Sequence, residues 1–248
     1  MKDLFSARSD QYAKYRPDYP DALFKYIVSQ LECTNRLWDC ATGNGQVAFP
    51  MSEYFKEVYA TDISANQLYN AKKAANIHYS MQPAEKTSFK DQFFDCITVA
   101  QAIHWFRFED FYAEVLRVLK PGGFLGVFGY GLFTIPADKE TEEMFTRFYT
   151  DVTGPYWDAE RHYIDSQYAT IPFPFTDIST PVFTIEKEWL LKDVLGYLST
   201  WSAVKKYISV NNINPIIELE KKVSEKWQAD LEKTIEFPLF VRMGQKPF

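Results

Sequence analysis

The chain has 248 residues, 46% hydrophobic and 24% charged, which is the balance of a folded globular protein and excludes extensive disorder. Its 27 lysines and arginines against 33 aspartates and glutamates leave a net charge of −6, the wrong sign for a chain held to nucleic acid by phosphate neutralisation. Three cysteines, Cys33, Cys40 and Cys96, lack a C-x-x-C spacing and imply neither a disulfide framework nor a zinc site. No apolar run reaches the roughly 18 residues of a membrane span or forms a signal-peptide core. The expectation is one soluble, cytoplasmic domain over residues 1–248 that engages neither nucleic acid nor a membrane; the sequence does not set its oligomeric state. Aromatic residues make up 17% of the chain, more than a core of this size needs, so some are expected around a ligand.

Residues 36–41 (RLWDCA) form a short apolar run ending at Thr42-Gly43-Asn44-Gly45, and 46–55 follow as a helix. Residues 58–61 make a second strand ending at Asp62, with Ser64 as N-cap of a helix through about residue 75. A third strand is expected at 77–81. The near-continuous apolar run 94–102 (FDCITVAQA) is of the kind that forms a central parallel strand. Phe108, Phe111, Tyr112, Val115, Leu116 and Leu119 recur at helical spacing, and Lys120-Pro121-Gly122-Gly123 is expected to stop that helix and turn the chain before a strand at 124–129. This alternation defines an α/β fold with a doubly wound, mostly parallel sheet and helices on both faces. Its ligand is expected beyond the carboxyl ends of the strands, at residues 42–45, Asp62, 83–85 and 101–105.

Beyond Gly131 an aromatic and proline-rich stretch (YWDAERHYIDSQYATIPFPF) reads as a helical, aromatic cap insertion over 132–181, a substrate lid. Residues 182–190 alternate like a strand, and Val194, Leu198, Trp201 and Ile208 suit one helix face. A further helix starts near Pro215 and carries Val223, Trp227 and Leu231. Residues 237–243 close the chain as a strand antiparallel to the one before it.

Gly43 and Gly45 stand where a backbone approaches a ligand at a helix N-terminus, although a tight turn needs them equally. The dinucleotide fingerprint G-x-G-x-x-G meets Ala48 at its third glycine, a tolerated change, so spacing alone leaves an NAD-dependent oxidoreductase open. The ordered set is more specific: D-x-A-T-G-x-G, then Asp62, then Ala84-Glu85, then FDCITVAQAIHWF and LKPGGFLGVF. It resembles the class I S-adenosylmethionine-dependent methyltransferases. The A-Q-A-x-H-W-F run, Y-x-x-Y-R-P-x-Y-P near the start and T-W-S-A-V near the end are similar to their small-molecule branch, the trans-aconitate methyltransferase-like, type 11 proteins.

The resemblance implies a Rossmann-like seven-stranded sheet, S-adenosylmethionine as cofactor, and residues 1–30 folded over it. It implies that Asp39, Ala41, Gly43 and Gly45 surround the methionine part and ribose, and that Asp62 holds the ribose hydroxyls. Helix capping is the competing role for Asp62. Ile63 would pack on adenine, Ala84 and Glu85 would recognise it, and Gln101 and Ala102 would face the methionyl chain. Tyr12 and Arg16 would complete the cofactor site, Arg16 meeting a carboxylate of the cofactor or of an acidic substrate; a surface arginine is the alternative.

Methyl transfer from a sulfonium asks for alignment and exclusion of water more than for a base. A carboxylate acceptor is ionised at neutral pH, whereas a hydroxyl or protonated amine needs a proton acceptor. His104 lies in the loop where the acceptor arrives, as a catalytic base, as a donor orienting a carboxylate, or as loop support. Trp105, Tyr130, Trp157 and Trp201 are the candidate substrate walls, with core packing the competing role for Trp201. No N/D-P-P-Y motif and no metal-binding carboxylate cluster follow the fourth strand. The leading expectation is O-methylation of a small carboxylic acid without a metal; a methyltransferase-like module without turnover is the reading from another class.

Overall fold

Helix α1 (Asp21–Ser29) starts after Pro20 and buries Leu23, Phe24 and Ile27 along one face. It opens the part of the chain described by the computed structural model, residues 15–248; Tyr12 lies outside the described residues. Seven strands follow: β1 (Arg36–Cys40), β2 (Glu57–Asp62), β3 (Ile77–Met81), β4 (Phe94–Ala100), β5 (Leu119–Tyr130), β6 (Phe183–Trp189) and β7 (Lys233–Gln245). They form one sheet in the order β3-β2-β1-β4-β5-β7-β6. Neighbours among β1 to β5 are parallel, and β7 runs antiparallel to both β5 and β6. Because β1 lies beside β4, the winding reverses between them, and a ligand crevice opens beyond their carboxyl ends.

The crossover helices are α2 (Ala48–Met51), α3 (Ala65–Tyr69) and α4 (Phe108–Val118). Apolar clusters cover both faces of the sheet, so the central strands read as unbroken apolar runs. Trp38 of β1 is wholly buried, stacked on Phe94 and edge-on to Phe89, and its indole N–H donates to Thr61 Oγ1 at 2.8 Å.

Several expectations are corrected by what packs where. Ser64 caps α3, its hydroxyl accepting from the Gln67 N–H, but the helix stops at Tyr69, well before residue 75. Likewise α2 is one turn of the expected 46–55 helix. Lys120-Pro121-Gly122-Gly123 does not separate helix from strand: Phe94 faces Leu119 and Cys96 faces Phe124, so the extra residues form a bulge within β5. Val194, Leu198, Trp201 and Ile208 do not share a helix, because α7 (Leu191–Ser199) and α8 (Ser202–Asn211) meet at Trp201, the N-cap of α8, and Ile208 is exposed. In α9 (Ile216–Ser224) only Val223 of the expected apolar row is helical; Trp227 is buried beyond its end, and Leu231 is exposed.

Between β5 and β6 lie α5 (Lys139–Arg147), a π-helical turn (Phe148–Val152), a 3-10 turn (Gly154–Tyr156) and α6 (Arg161–Asp165). Rings of Phe148, Tyr149, Trp157 and Trp201 pack against one another, so the 132–181 stretch is packed against the start of α8. Among the described residues, no helix is long and apolar enough to cross a membrane.

Trp38→Ala is expected to cost about 3–5 kcal/mol of stability, the range for emptying a buried aromatic site. Urea denaturation followed by circular dichroism measures it, and a loss below about 1 kcal/mol would show that β1 is not anchored there.

Candidate active site

The adjacent strands β1 and β4 both lead into a non-glycine residue with left-handed backbone, Ala41 (φ 56°) and Gln101 (φ 52°). That conformation costs about 1–2 kcal/mol for a residue with a Cβ, and such strain concentrates at functional sites. Between the two bends lies a cleft of about 900 Å³ whose lining includes Asp39, Ala41, Gly43, Asp62, Ile63, Gln101 and Ala102. Most of the residues expected to hold the cofactor therefore meet in one place.

Asp39 is buried, and burial pushes its carboxyl up to about 6. Hydroxyl donors from Thr42 (2.5 Å) and Thr98 (2.9 Å) and the Ala48 N–H (3.1 Å) oppose that rise. Asp62 accepts from the Gly43 N–H and the Ser64 N–H, each at 2.9 Å. It holds the glycine turn and the entry to α3 while lining the cleft, so capping and ligand contact are not exclusive.

Four expected cofactor residues stand elsewhere. Gly45 does not line the cleft: with φ 82° it closes the turn, and a Cβ there would meet the Tyr79 hydroxyl at 2.5 Å. Ala84 is packed in the apolar cluster beneath, and Glu85 is drawn away to the Arg107 backbone N–H at 3.2 Å. Arg16 lies over the Tyr197 ring at 5.4 Å, on the side of a second chamber. Tyr130, expected as a substrate wall, lines the first cleft, its carbonyl accepting from the Gln101 side-chain amide at 2.7 Å. Asn44 of the glycine turn and Tyr19 of the Y-x-x-Y-R-P-x-Y-P segment also line it, as do Gln46 and Gln67, whose residue types carried no signal in the sequence.

The second chamber, about 590 Å³ with its open mouth included, shares Gln101 and Trp105 with the first. Trp157 and Trp201 line it, with His104 and Arg16, and it adds Arg161, Asp158, Ile164 and Ser202. Arg161 is braced from behind: its Nε donates to the Tyr149 hydroxyl at 2.7 Å, which donates to Asp165 at 2.5 Å. Its guanidinium lies over the Trp157 ring at 4.6 Å. The Trp157 indole nitrogen is buried without a partner among the described residues. Arg161 was missed because a lone arginine inside an aromatic stretch carries no periodic or motif signal.

His104 sits in a 3-10 turn (Ile103–Trp105) after β4, buried, with Nδ1 3.0 Å from the Tyr168 hydroxyl. Burial first, and the Arg161 charge second, lower its pKa to about 3. It is therefore a neutral imidazole at physiological pH.

With the geometry in view, the kinship of the chain is clear. Residues 38–127 match the family model described as a methyltransferase domain. A Dictyostelium discoideum protein named as a methyltransferase is 30% identical over 98% of this chain and 95% of its own. A solved structure named as a type II methyltransferase, from Anaeromyxobacter dehalogenans, superposes with a TM-score of 0.87 at 32% identity, covering 94% of this chain and 99% of that one. A ubiquinone/menaquinone biosynthesis C-methyltransferase of Stutzerimonas stutzeri is 32% identical over 46% of each chain. The chain belongs to the class I S-adenosylmethionine-dependent methyltransferases. It is an enzyme whose cofactor is S-adenosylmethionine, which sets aside the NAD-dependent oxidoreductase and the module without turnover.

His104 also makes a stability prediction. Its folded pKa lies below the ordinary 6.5, so between pH 6.5 and about 3 the unfolded chain binds a proton that the folded chain refuses. Stability is lost as pH falls through that window, and above it His104 adds no pH dependence. His104→Gln is expected to lose about 2 kcal/mol less than wild type between pH 6.5 and 5. Equal losses in paired urea titrations would contradict a buried neutral imidazole.

Proposed function

We propose that this methyltransferase acts on a small carboxylic acid, forming a methyl ester. The observation that carries the reading is the donor-rich lining of the second chamber: the braced Arg161 guanidinium, the unpartnered Trp157 indole N–H, Arg16, His104 and Ser202. The Arg161 Nη atoms have no hydrogen-bond partner among the described residues. Planar guanidinium donors match a carboxylate bidentately. Trp201 and Ser202 begin α8, whose N-terminal N–H groups also favour an anion. Asp158 is the one carboxylate on the wall, and Lys206 offsets it at 4.0 Å. The indole rings of Trp105, Trp157 and Trp201 give the chamber apolar walls, beside which these interactions are stronger than in open water.

The residues of the first cleft fit the cofactor. Asp62 lines the cleft with a carboxylate, an acceptor that suits the neighbouring hydroxyls of a ribose. Ile63 offers an apolar face for adenine. A Cβ on Gly43 would meet nothing within 4 Å, in keeping with a turn that admits the ligand to its backbone. Gln101 Oε1 is buried without a partner among the described residues, and a cationic ligand supplies what it lacks. When bound, S-adenosylmethionine supplies an electrophilic methyl: the acceptor oxygen's lone pair forms the new O–C bond while the C–S electrons stay on sulfur. Gln101 and Trp105 line both chambers, the place where donor and acceptor would meet. An ionised carboxylate needs no proton removed, in accord with a neutral, buried His104. The cap over 132–181 shields the acceptor; of the segment expected to cover the cofactor, Tyr19 lines the first cleft, and residues 1–14 lie outside the described residues.

Asp62→Ala is expected to weaken S-adenosylhomocysteine binding by about 1–3 kcal/mol, the cost of losing charge-assisted hydrogen bonds; unchanged affinity by calorimetry would remove Asp62 from the ribose role. For the acceptor, the enzyme with S-adenosylmethionine is offered a panel of small mono- and dicarboxylic acids, phenols and amines, with products read by mass spectrometry. The reading predicts base-labile methyl esters, with KM for the acid raised roughly 10-fold or more in Arg161→Gln. Methylation of phenols or amines alone would overturn it.

A further inference from the structure

We propose that Tyr168 is a positioning residue that fixes His104 as its Nε2–H tautomer, so that the imidazole serves the acceptor chamber as a hydrogen-bond donor and not as a base. The use of that donor rests on the carboxylate reading; the tautomer rests on His104 and Tyr168 alone.

The Tyr168 side chain is buried, and burial holds its phenol well above the ordinary tyrosine range, so it carries its proton. Among the described residues its hydroxyl has a single partner, His104 Nδ1 at 3.0 Å. If Nδ1 carried the imidazole proton, it would donate to the phenol oxygen, and the phenolic hydrogen would be buried with no acceptor, an arrangement folded proteins avoid. The bond therefore runs from the Tyr168 O–H to Nδ1. A neutral imidazole has one N–H, which falls on Nε2, and Nε2 has no partner among the described residues on a side chain that lines the chamber.

Protonating the ring would set an Nδ1–H against the phenolic hydrogen, so the lock opposes the imidazolium as well as the other tautomer. The charged groups around the ring act in the same direction on balance. Arg161 of α6 opposes a proton on the ring, and Arg16 of the N-terminal segment shares the chamber. Asp158 favours one, but Lys206 lies 4.0 Å from it. Trp105, whose ring centroid is 5.0 Å from that of His104, is neutral.

The backbone that delivers Tyr168 is itself over-determined. Gln167 and Tyr168 are consecutive non-glycine residues in the left-handed region, φ 54° and 61°. The Tyr168 N–H donates to the Tyr163 carbonyl at 2.7 Å, its own carbonyl accepts from Arg242 at 3.1 Å, and its ring packs edge-on to Phe240. Bulky residues adopt this conformation only where the surroundings enforce it. Here the effect is to aim one hydroxyl at one ring nitrogen.

The test is a long-range proton–nitrogen NMR correlation on the full chain with nitrogen-15-labelled histidine, His104 being assigned by its absence in His104→Gln. The expected result between pH 5.5 and 8.5 is a single His104 state, protonated at Nε2 and bare at Nδ1. Tyr168→Phe, which keeps the ring, is expected to lose that single state and show averaging of both tautomers, with its fold checked by circular dichroism. Protonation at Nδ1 in the wild type, alone or together with Nε2, would overturn the proposal. So would a wild-type tautomer pattern in folded Tyr168→Phe. A locked Nε2–H tautomer in a protein that methylates no acid would instead sink the carboxylate reading and leave the lock standing.

Discussion

A carboxylate buried in the centre of the fold organises the site. Among the described residues Asp39 has no cation beside it, and it stays ionisable only through three donors: the Thr42 hydroxyl, the Ala48 N–H and the Thr98 hydroxyl. Burying a charge without such partners is prohibitive. The three donors come from the glycine turn, the start of α2 and strand β4. Satisfying Asp39 therefore folds the turn back over the end of β1 and ties it to the neighbouring strand. Asp62 repeats the device one strand away, gripping the turn at Gly43 and the start of α3 at Ser64. The cleft is the space these constraints leave open.

The two chambers differ in charge in the sense the proposed reaction needs. Asp39 and Asp62 line the first; Arg16 and Arg161 line the second, with Asp158 beside Lys206; Gln101 and Trp105 line both. A sulfonium suits the former and a carboxylate the latter. Transfer between them converts an ion pair into two neutral products, so a site that excludes water favours it. No residue has to be a strong base in such an arrangement, and a histidine held neutral is compatible with it.

Much of the frame was legible in the sequence because the central strands are buried on both faces and punctuated by glycine, Asp62 and Ser64. The run 94–102, the glycine turn and the antiparallel close of the sheet all follow from apolar patterning and turn chemistry. What escaped was tertiary. Pro121 and Gly122 look like a turn and prove to be a bulge, because β5 pairs with β4 on both sides of them. Trp201 has the spacing of a helix core residue, yet the helix breaks there and Trp201 stands at the N-cap position of α8. Arg161 and Tyr168 sit in an irregular aromatic stretch without periodicity, and only the folded cap brings them to His104. Glu85 and Gly45 carried motif signals, but Arg107 and Tyr79 claim them for structure.

The account stands on two chambers meeting at Gln101 and Trp105, and the most direct measurement is a crystal structure of the enzyme with S-adenosylhomocysteine and a small carboxylic acid. It predicts the nucleoside against Asp62 and Ile63, the thioether sulfur at the Gln101–Trp105 opening, and the carboxylate in contact with Arg161 on the other side. A sulfur facing away from that opening, or an acid bound outside the second chamber, would contradict it.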